Sequence, residues 1–328
     1  MPSQAEEHSI DQEVAQLRAQ IDNATARLKE LRGKESTITT TTPSGNSLQP
    51  ESDPNNDGLP ISSTTPRTST IGFKTSSIPP HSLLLLADSA LPLGSFAFSS
   101  GLESYLAHHP PSHNSRPETL RQFMHMSITS MASATLPYLL AAYTAPQRLT
   151  ELDDTLDACI LCPVARRASI SQGKALISVW ERSLKVESAE SVAKGALQGF
   201  CLGLKVQPVG AMKGKGEVEG VEQPVELNAH FPLVYAVVCA AQGLSDHQTA
   251  YTYLFNHAKA VASAAVRAGV LGPYAAQALL GSDWLRAELE RALAREWETD
   301  IEDAGQTVPA IDVWMGRHEL LYSRIFNS

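Results

Sequence analysis

Between Asp11 and Arg32 the apolar residues fall at Val14, Leu17, Ile21, Ala24, Leu28 and Leu31. Spacings of three and four alternate and charges flank them, so residues 1–33 are expected to form a short amphipathic, coiled-coil-like helix. About three heptads lie near the lower limit for a coiled coil, and a solvated helix has the same pattern. From Lys34 to Pro80 the pattern dissolves into Ser, Thr, Pro, Gly and Asn. Such a segment cannot bury enough surface to offset its ordering entropy, so residues 34–80 are expected to be a disordered linker. A folded domain is expected from His81 to Ser328.

Helical periodicity dominates that domain. The run Leu83–Leu86 is expected to end as a helix near Ser89, because Pro92 lacks an amide donor and Gly94 favours conformations a helix excludes. A new helix is expected around Ser99, capped by its hydroxyl, with Glu103 in the first turn. Leu91, Leu93, Phe96 and Phe98 are too apolar for an ordinary exposed loop, so this turn should fold onto a core or face a partner. After a Pro-, Ser- and His-rich loop, Pro117 should open a helix to about Thr135, and Pro137 should bend or restart the chain before Leu139–Tyr143.

Further helices are expected over Glu151–Cys162, Ala165–Leu184, Ser188–Leu204 and the almost wholly apolar Phe231–Gly243. Ser245 and Gln248 form a capping-box pattern for a helix to about Ala268, and helices over Tyr274–Leu280 and Asp283–Glu298 follow. The polar stretch 205–228 reads as a mobile insertion. No strand alternation and no repeat are visible, so the fold class expected is all-α, a single helical-bundle domain.

Composition narrows the function. A net charge of −9 argues against nucleic acid as the main partner. The four cysteines, Cys159, Cys162, Cys201 and Cys239, and a polar N-terminus without an export core point to a reducing compartment. The longest apolar tract, near Val261–Leu280, is broken by Arg267 and Gly272-Pro273 and does not read as a membrane span. A cytoplasmic protein is expected.

Candidate chemistry is sparse. Lys213-Gly214-Lys215-Gly216 lacks the spacing and the Lys-Ser/Thr of a P-loop. Cys159-x-x-Cys162 has metal- or redox-type spacing but no second pair, and packed thiols are the plainer reading. His108, His109 and His113 could hold a soft ion in a flexible loop, without a carboxylate or thiolate to complete a site. No Gly-x-Ser-x-Gly elbow exists, no His/Asp pair is recognisably coupled to a serine, and Asp153-Asp154 reads as a macrodipole-favoured helix start. No catalytic residues are expected. The segment Ile311–Ser328 resists a bland reading: Trp314, Met315, Leu320, Leu321, Tyr322, Ile325 and Phe326 make it too apolar for a frayed end. It should be tied to its own core or ordered by a partner.

Two strings carry a family resemblance. The first runs from Leu83–Leu86 through Ala90-Leu91-Pro92-Leu93-Gly94-Ser95-Phe96 to Ser100-Gly101-Leu102-Glu103; the second is Arg317-His318-Glu319 followed by Ser323-Arg324-Ile325-Phe326. Between them, Arg166-Arg167-Ala168-Ser169 with Gln172-Gly173, His230-Phe231-Pro232-Leu233 and Arg267-x-Gly269 fall in order. The chain from about His81 resembles the urease accessory protein F family, with residues 1–80 and 205–228 looking like fungal or other eukaryotic additions.

The resemblance implies an all-helical, dimeric scaffold without enzymatic activity or a cofactor of its own, with nickel and GTP entering at the level of a complex. Its implied partners are apo-urease, accessory protein D (H in some bacteria) and the nickel-binding GTPase, accessory protein G, with no nucleic acid or membrane. Pro92, Gly94, Phe96, Gly101, Glu103 and Tyr105 would shape a dimer or partner surface. The C-terminal tail, with Arg317, His318, Glu319, Tyr322, Arg324 and Phe326, would become ordered against the D/H partner and dock it, and Arg324 would matter for GTPase recruitment. The alternatives are a direct nickel carrier using Cys159, Cys162 and His108–His113, and a helical adaptor that self-associates through Val14–Leu31.

Overall fold

The computed structural model describes residues 80–109, 116–185, 190–207 and 226–327, all within the unit Gly72–Ser328. The expected N-terminal helix, the linker before Pro80 and His113 lie outside the described residues, as does 208–225 of the expected insertion. Among the described residues there is no strand. The fold is all-α.

The helices are α1 (His81–Leu86), α2 (Leu102–His108), α3 (Arg116–Thr144), α4 (Leu149–Cys159), α5 (Pro163–Val179), α6 (Val192–Val206), α7 (Phe231–Ala241), α8 (Asp246–Arg267), α9 (Pro273–Leu280), α10 (Asp283–Glu296) and α11 (Pro309–Arg317). A helix that is apolar on every face has to be enclosed. That helix is α7: every residue from Pro232 to Cys239 is buried, and α3, α5, α6 and α8 surround it. Its neighbours show the amphipathic pattern that an outer helix needs. In α8, for instance, Ala258, Val261, Ala262, Ala264 and Ala265 face inward. The capping box at Ser245 and Gln248 forms as expected, with both reciprocal bonds in place.

Several expected boundaries move, each for a physical reason. Pro137 neither bends nor restarts the chain, and α3 runs unbroken through it. Proline leaves the carbonyl four residues earlier without its helical donor, here that of Ser133. The amide of Gly305 donates to that carbonyl at 3.1 Å, and Ser133 Oγ meets Thr307 Oγ1 at 2.8 Å. A distant segment therefore completes the helix.

The helix expected from Ser99 starts at Leu102, because Ser100 (φ 53°) and Gly101 (φ 86°) take left-handed conformations; Ser99 Oγ still accepts the Glu103 amide at 3.4 Å. The helix expected to reach Cys162 ends at Cys159, since Ile160 and Cys162 are extended ahead of Pro163. The described ends of the 205–228 stretch are ordered: Lys205 and Val206 complete α6, Lys205 Nζ meets Glu181 at 2.5 Å, and Leu227 to His230 are buried. The last residues are no simple tail, for α11 buries Ile311 and Met315 against α2, α3 and α5.

Helix α5 approaches the start of α7 with no room to spare. A β-carbon on Gly173 would lie 1.8 Å from the carbonyl oxygen of Ala229, whose own φ is 65°. Backbone on both sides cannot yield, so Gly173→Ala is expected to cost about 3 kcal/mol or more. Chemical denaturation of the variant against wild type measures it; a change under about 1 kcal/mol would show that the contact can relax.

Candidate functional site

The two strings that the sequence singles out meet at one carboxylate. Glu103 projects from the first turn of α2, and its Oε1 accepts the backbone amide of Ile325 at 2.7 Å. Its Oε2 accepts the amide of Phe326 at 3.2 Å and the ring Nε2–H of His318 at 2.8 Å. Charge-assisted bonds of this kind are the stronger class. His318 is fully buried and its Nδ1 has no protein partner. Placing the ring proton on Nε2 leaves a bare lone pair rather than a stranded N–H, the cheaper arrangement.

Packing secures the same junction. Gly101 admits α11 so closely that an added β-carbon would touch Met315 at 3.2 Å and Trp314 at 3.3 Å. The Trp314 ring sits among Tyr105, His108 and His109, with centroids 5.0–5.8 Å away. Phe326 is buried beneath the Arg267 guanidinium, 4.2 Å from the ring centroid, and the Asn327 amide donates to the Ala97 carbonyl at 2.8 Å. Arg167 of α5 pairs with Glu319.

This arrangement sorts the residues expected to form a partner surface. Gly101, Tyr105, His318 and Phe326 are buried and Glu103 is nearly so; they hold the chain to itself and cannot touch a partner in this conformation. Pro92, Phe96, Arg317, Glu319, Tyr322 and Arg324 are exposed, and Gly94 is half-buried with φ 69°. Leu320 and Ile325, 80% and 61% exposed, join the outward set, although neither was among the residues expected to touch a partner.

A second polar cluster was not legible in the sequence. Asp153, read as a helix-start acid, is fully buried in α4 and accepts three successive backbone amides: Asn228 at 2.6 Å and Ala229 at 3.0 Å on Oδ2, and His230 at 2.8 Å on Oδ1. One turn on, Asp157 Oδ1 bonds His230 Nε2 at 3.0 Å and pairs with Arg166. Burial works against its charge, yet Arg166 and His230 together hold the Asp157 carboxyl below the usual carboxylate range. His230 Nδ1 in turn meets Ser169 Oγ at 3.1 Å. A serine, a histidine and an aspartate are thus coupled, contrary to the sequence reading. Ser169 Oγ also accepts the Phe231 amide at 3.2 Å, and the His230 ring is enclosed. The relay ties α4 and α5 to the start of α7 and has the character of a structural brace.

Cys159 is exposed and accepts from Tyr138 Oη at 3.3 Å, whereas Cys162 is buried. His108 Nδ1 bonds the Ser104 carbonyl at 2.7 Å, and His109 Nδ1 bonds that of Tyr105 at 3.3 Å. Among the described residues, no three His, Cys, Asp or Glu side chains converge as ion ligands. A mainly apolar cavity of about 720 Å³ lies beside the turn before α2, with Leu93, Phe96, Ile160 and Met315 in its walls. His257 also lines it and meets Ser127 Oγ at 2.8 Å. Its enclosed surroundings lower the His257 ring to about 4.

Comparison with known proteins follows the same outline. The UreF family model matches residues 115–283. The chain is 34% identical over 248 residues to an uncharacterized urease accessory protein UreF-like of Schizosaccharomyces pombe, across 76% of this chain and 97% of that one. It is 30% identical over 243 residues to urease accessory protein F of Oryza sativa subsp. indica, across 74% and 82%. With urease accessory protein UreF of Haemophilus influenzae it shares 26% over 256 residues, across 75% and 94%.

Asp153→Ala would strand three buried amides and is expected to cost about 3 kcal/mol or more in a denaturation experiment. A stability equal to wild type would mean that water replaces the carboxylate. For His257 the folded value lies below the ordinary histidine value of 6.5, so the folded state binds fewer protons than the unfolded one. Its contribution is complete above about 6.5 and is lost as pH falls towards about 4. Denaturation midpoints across that interval should fall less steeply for His257→Gln than for wild type; parallel slopes would remove the assignment.

Proposed function

This chain belongs to the urease accessory protein F family, and from that membership we propose that it acts in urease maturation as a non-enzymatic scaffold. It joins accessory protein D (H in some bacteria) to the nickel-binding GTPase, accessory protein G, so that nickel can be delivered to apo-urease. Nickel is cargo and GTP belongs to the partner. The scaffold works as a homodimer in the cytoplasm, and no helix among the described residues is long and apolar enough to cross a membrane.

The observation that carries this reading is the outward face of residues 317–325. Leu320, Tyr322 and Ile325 leave large apolar side chains in water beside Arg317 and Arg324 within one short stretch, although Phe96, Leu161, Val206 and Tyr274 are exposed elsewhere. Tyr and Arg are the residue types that anchor protein interfaces, and guanidinium offers a planar, multi-donor contact that Lys cannot copy. The polar clusters support the same reading, for Asp153, Asp157 and His230 are engaged in holding helices together.

Co-expression of the full chain with accessory proteins D and G, followed by size-exclusion chromatography with light scattering, tests the proposal. One assembly containing all three is expected. Arg324→Ala should lose the GTPase while its helical circular dichroism and melting stay at wild-type values, because Arg324 is exposed. A chain that elutes alone in every combination would overturn the scaffold reading, and an unchanged complex with Arg324→Ala would remove that residue's role.

A further inference from the structure

The cavity of about 720 Å³ beside the turn before α2 has no part in the scaffold reading. Well-packed interiors leave few voids larger than a water molecule, and this one has the size of sites that enclose a drug-sized molecule. Its apolar walls come from distant parts of the chain: Leu93 and Phe98 from the turn, Met131 from α3, Ile160 from the connection after α4, Phe231 from α7 and Met315 from α11.

Four charged residues also line it, two of each sign, and each is engaged with a neutral neighbour. Lys259 Nζ donates to the Ala87 carbonyl, and the Arg267 guanidinium covers the Phe326 ring. Asp88 Oδ1 accepts the Ala90 amide at 2.9 Å, and Asp312 Oδ1 accepts from Gln306 Nε2 at 3.1 Å. Burial lowers the Lys259 and Arg267 values and raises that of Asp312, so these surroundings work against charge of either sign. A charged occupant would meet the same penalty, and an uncharged one would not.

One polar atom of the wall is left over. His257 lines the cavity, its Nε2 is spent on Ser127 Oγ at 2.8 Å, and its Nδ1 has no hydrogen-bond partner among the described residues. The ring is uncharged at neutral pH, since burial lowers it to about 4. Where Nε2 carries the proton, Nδ1 is an acceptor; where the Ser127 hydroxyl donates to Nε2, Nδ1–H is a donor. A hydroxyl group can satisfy either. We propose that the cavity binds an apolar alcohol, an uncharged molecule whose hydroxyl is held by His257 Nδ1 while the apolar walls enclose its body. This site goes beyond the scaffold reading and stands whether or not that reading holds.

Nile red, an uncharged dye that brightens in apolar surroundings, reports occupancy in the full chain. One saturable site is expected, from which 1-dodecanol displaces the dye at about tenfold lower concentration than laurate, its charged counterpart of equal chain length. Ala134→Phe and Ala260→Phe enlarge half-buried wall residues and should each weaken the dye by about tenfold or more, with helical circular dichroism retained. His257→Leu should weaken 1-dodecanol by about tenfold, the loss of one hydrogen bond. Absence of saturable binding would overturn the site. So would binding that neither filling variant changes, which would place the dye on exposed side chains such as Leu320 or Tyr322. Displacement by laurate at equal or lower concentration would overturn the uncharged class, and an unchanged 1-dodecanol affinity in His257→Leu would remove His257 as the anchor.

Discussion

A helix with no polar face can persist in water only if other helices cover all of it, and α7 imposes that condition on the domain. Its enclosure by α3, α5, α6 and α8 dictates where those helices lie. Enclosing the helix also encloses its N-terminus, whose unpaired amides would be costly in an apolar interior. Asp153 answers this need by taking three amides in a row ahead of Phe231, where its negative charge also suits the helix dipole. The close approach of Gly173 and the Asp157–His230–Ser169 relay fix the same point from α4 and α5. The side chains most suggestive of catalysis are thus consumed in seating one helix.

The C-terminal arm obeys the same logic of unmet hydrogen bonds. Pro137 opens a gap in the α3 ladder, and Gly305 fills it. Gly101 leaves space that α11 occupies through Met315 and Trp314, and Glu103 then gathers His318, Ile325 and Phe326. Each attachment joins residues more than 150 positions apart, so the arm is part of the domain and not an appendage. Its inward half is held by contacts that satisfy buried polar groups. Its outward half has no such demand, which leaves Tyr322 and Arg324 available for recognition.

Exposure and stability therefore divide the residues of one short segment. A substitution at His318 or Phe326 would act through folding of the arm, and one at Tyr322 or Arg324 through what the arm presents. In this urease accessory protein, rigid helices thus fix a backbone from which a few side chains are left exposed.

Periodicity and capping were enough to read the all-α class, the buried helix after His230 and the capping box at Ser245, because these depend on residues within one or two turns. The two motif strings were likewise visible as unusual, since an apolar turn and an apolar chain end violate local expectation. What lay beyond the sequence was every relation between distant residues. Whether Pro137 would break its helix depended on a donor at Gly305. Whether Asp153 was a surface acid or an anchor depended on where residues 228–230 ran. That Glu103 and His318 belong to one site, with Tyr322 and Arg324 turned away from it, follows from a path of more than 200 residues between the two motifs. Local sequence sets the elements; the pairing of their unsatisfied groups is fixed only when the chain closes on itself.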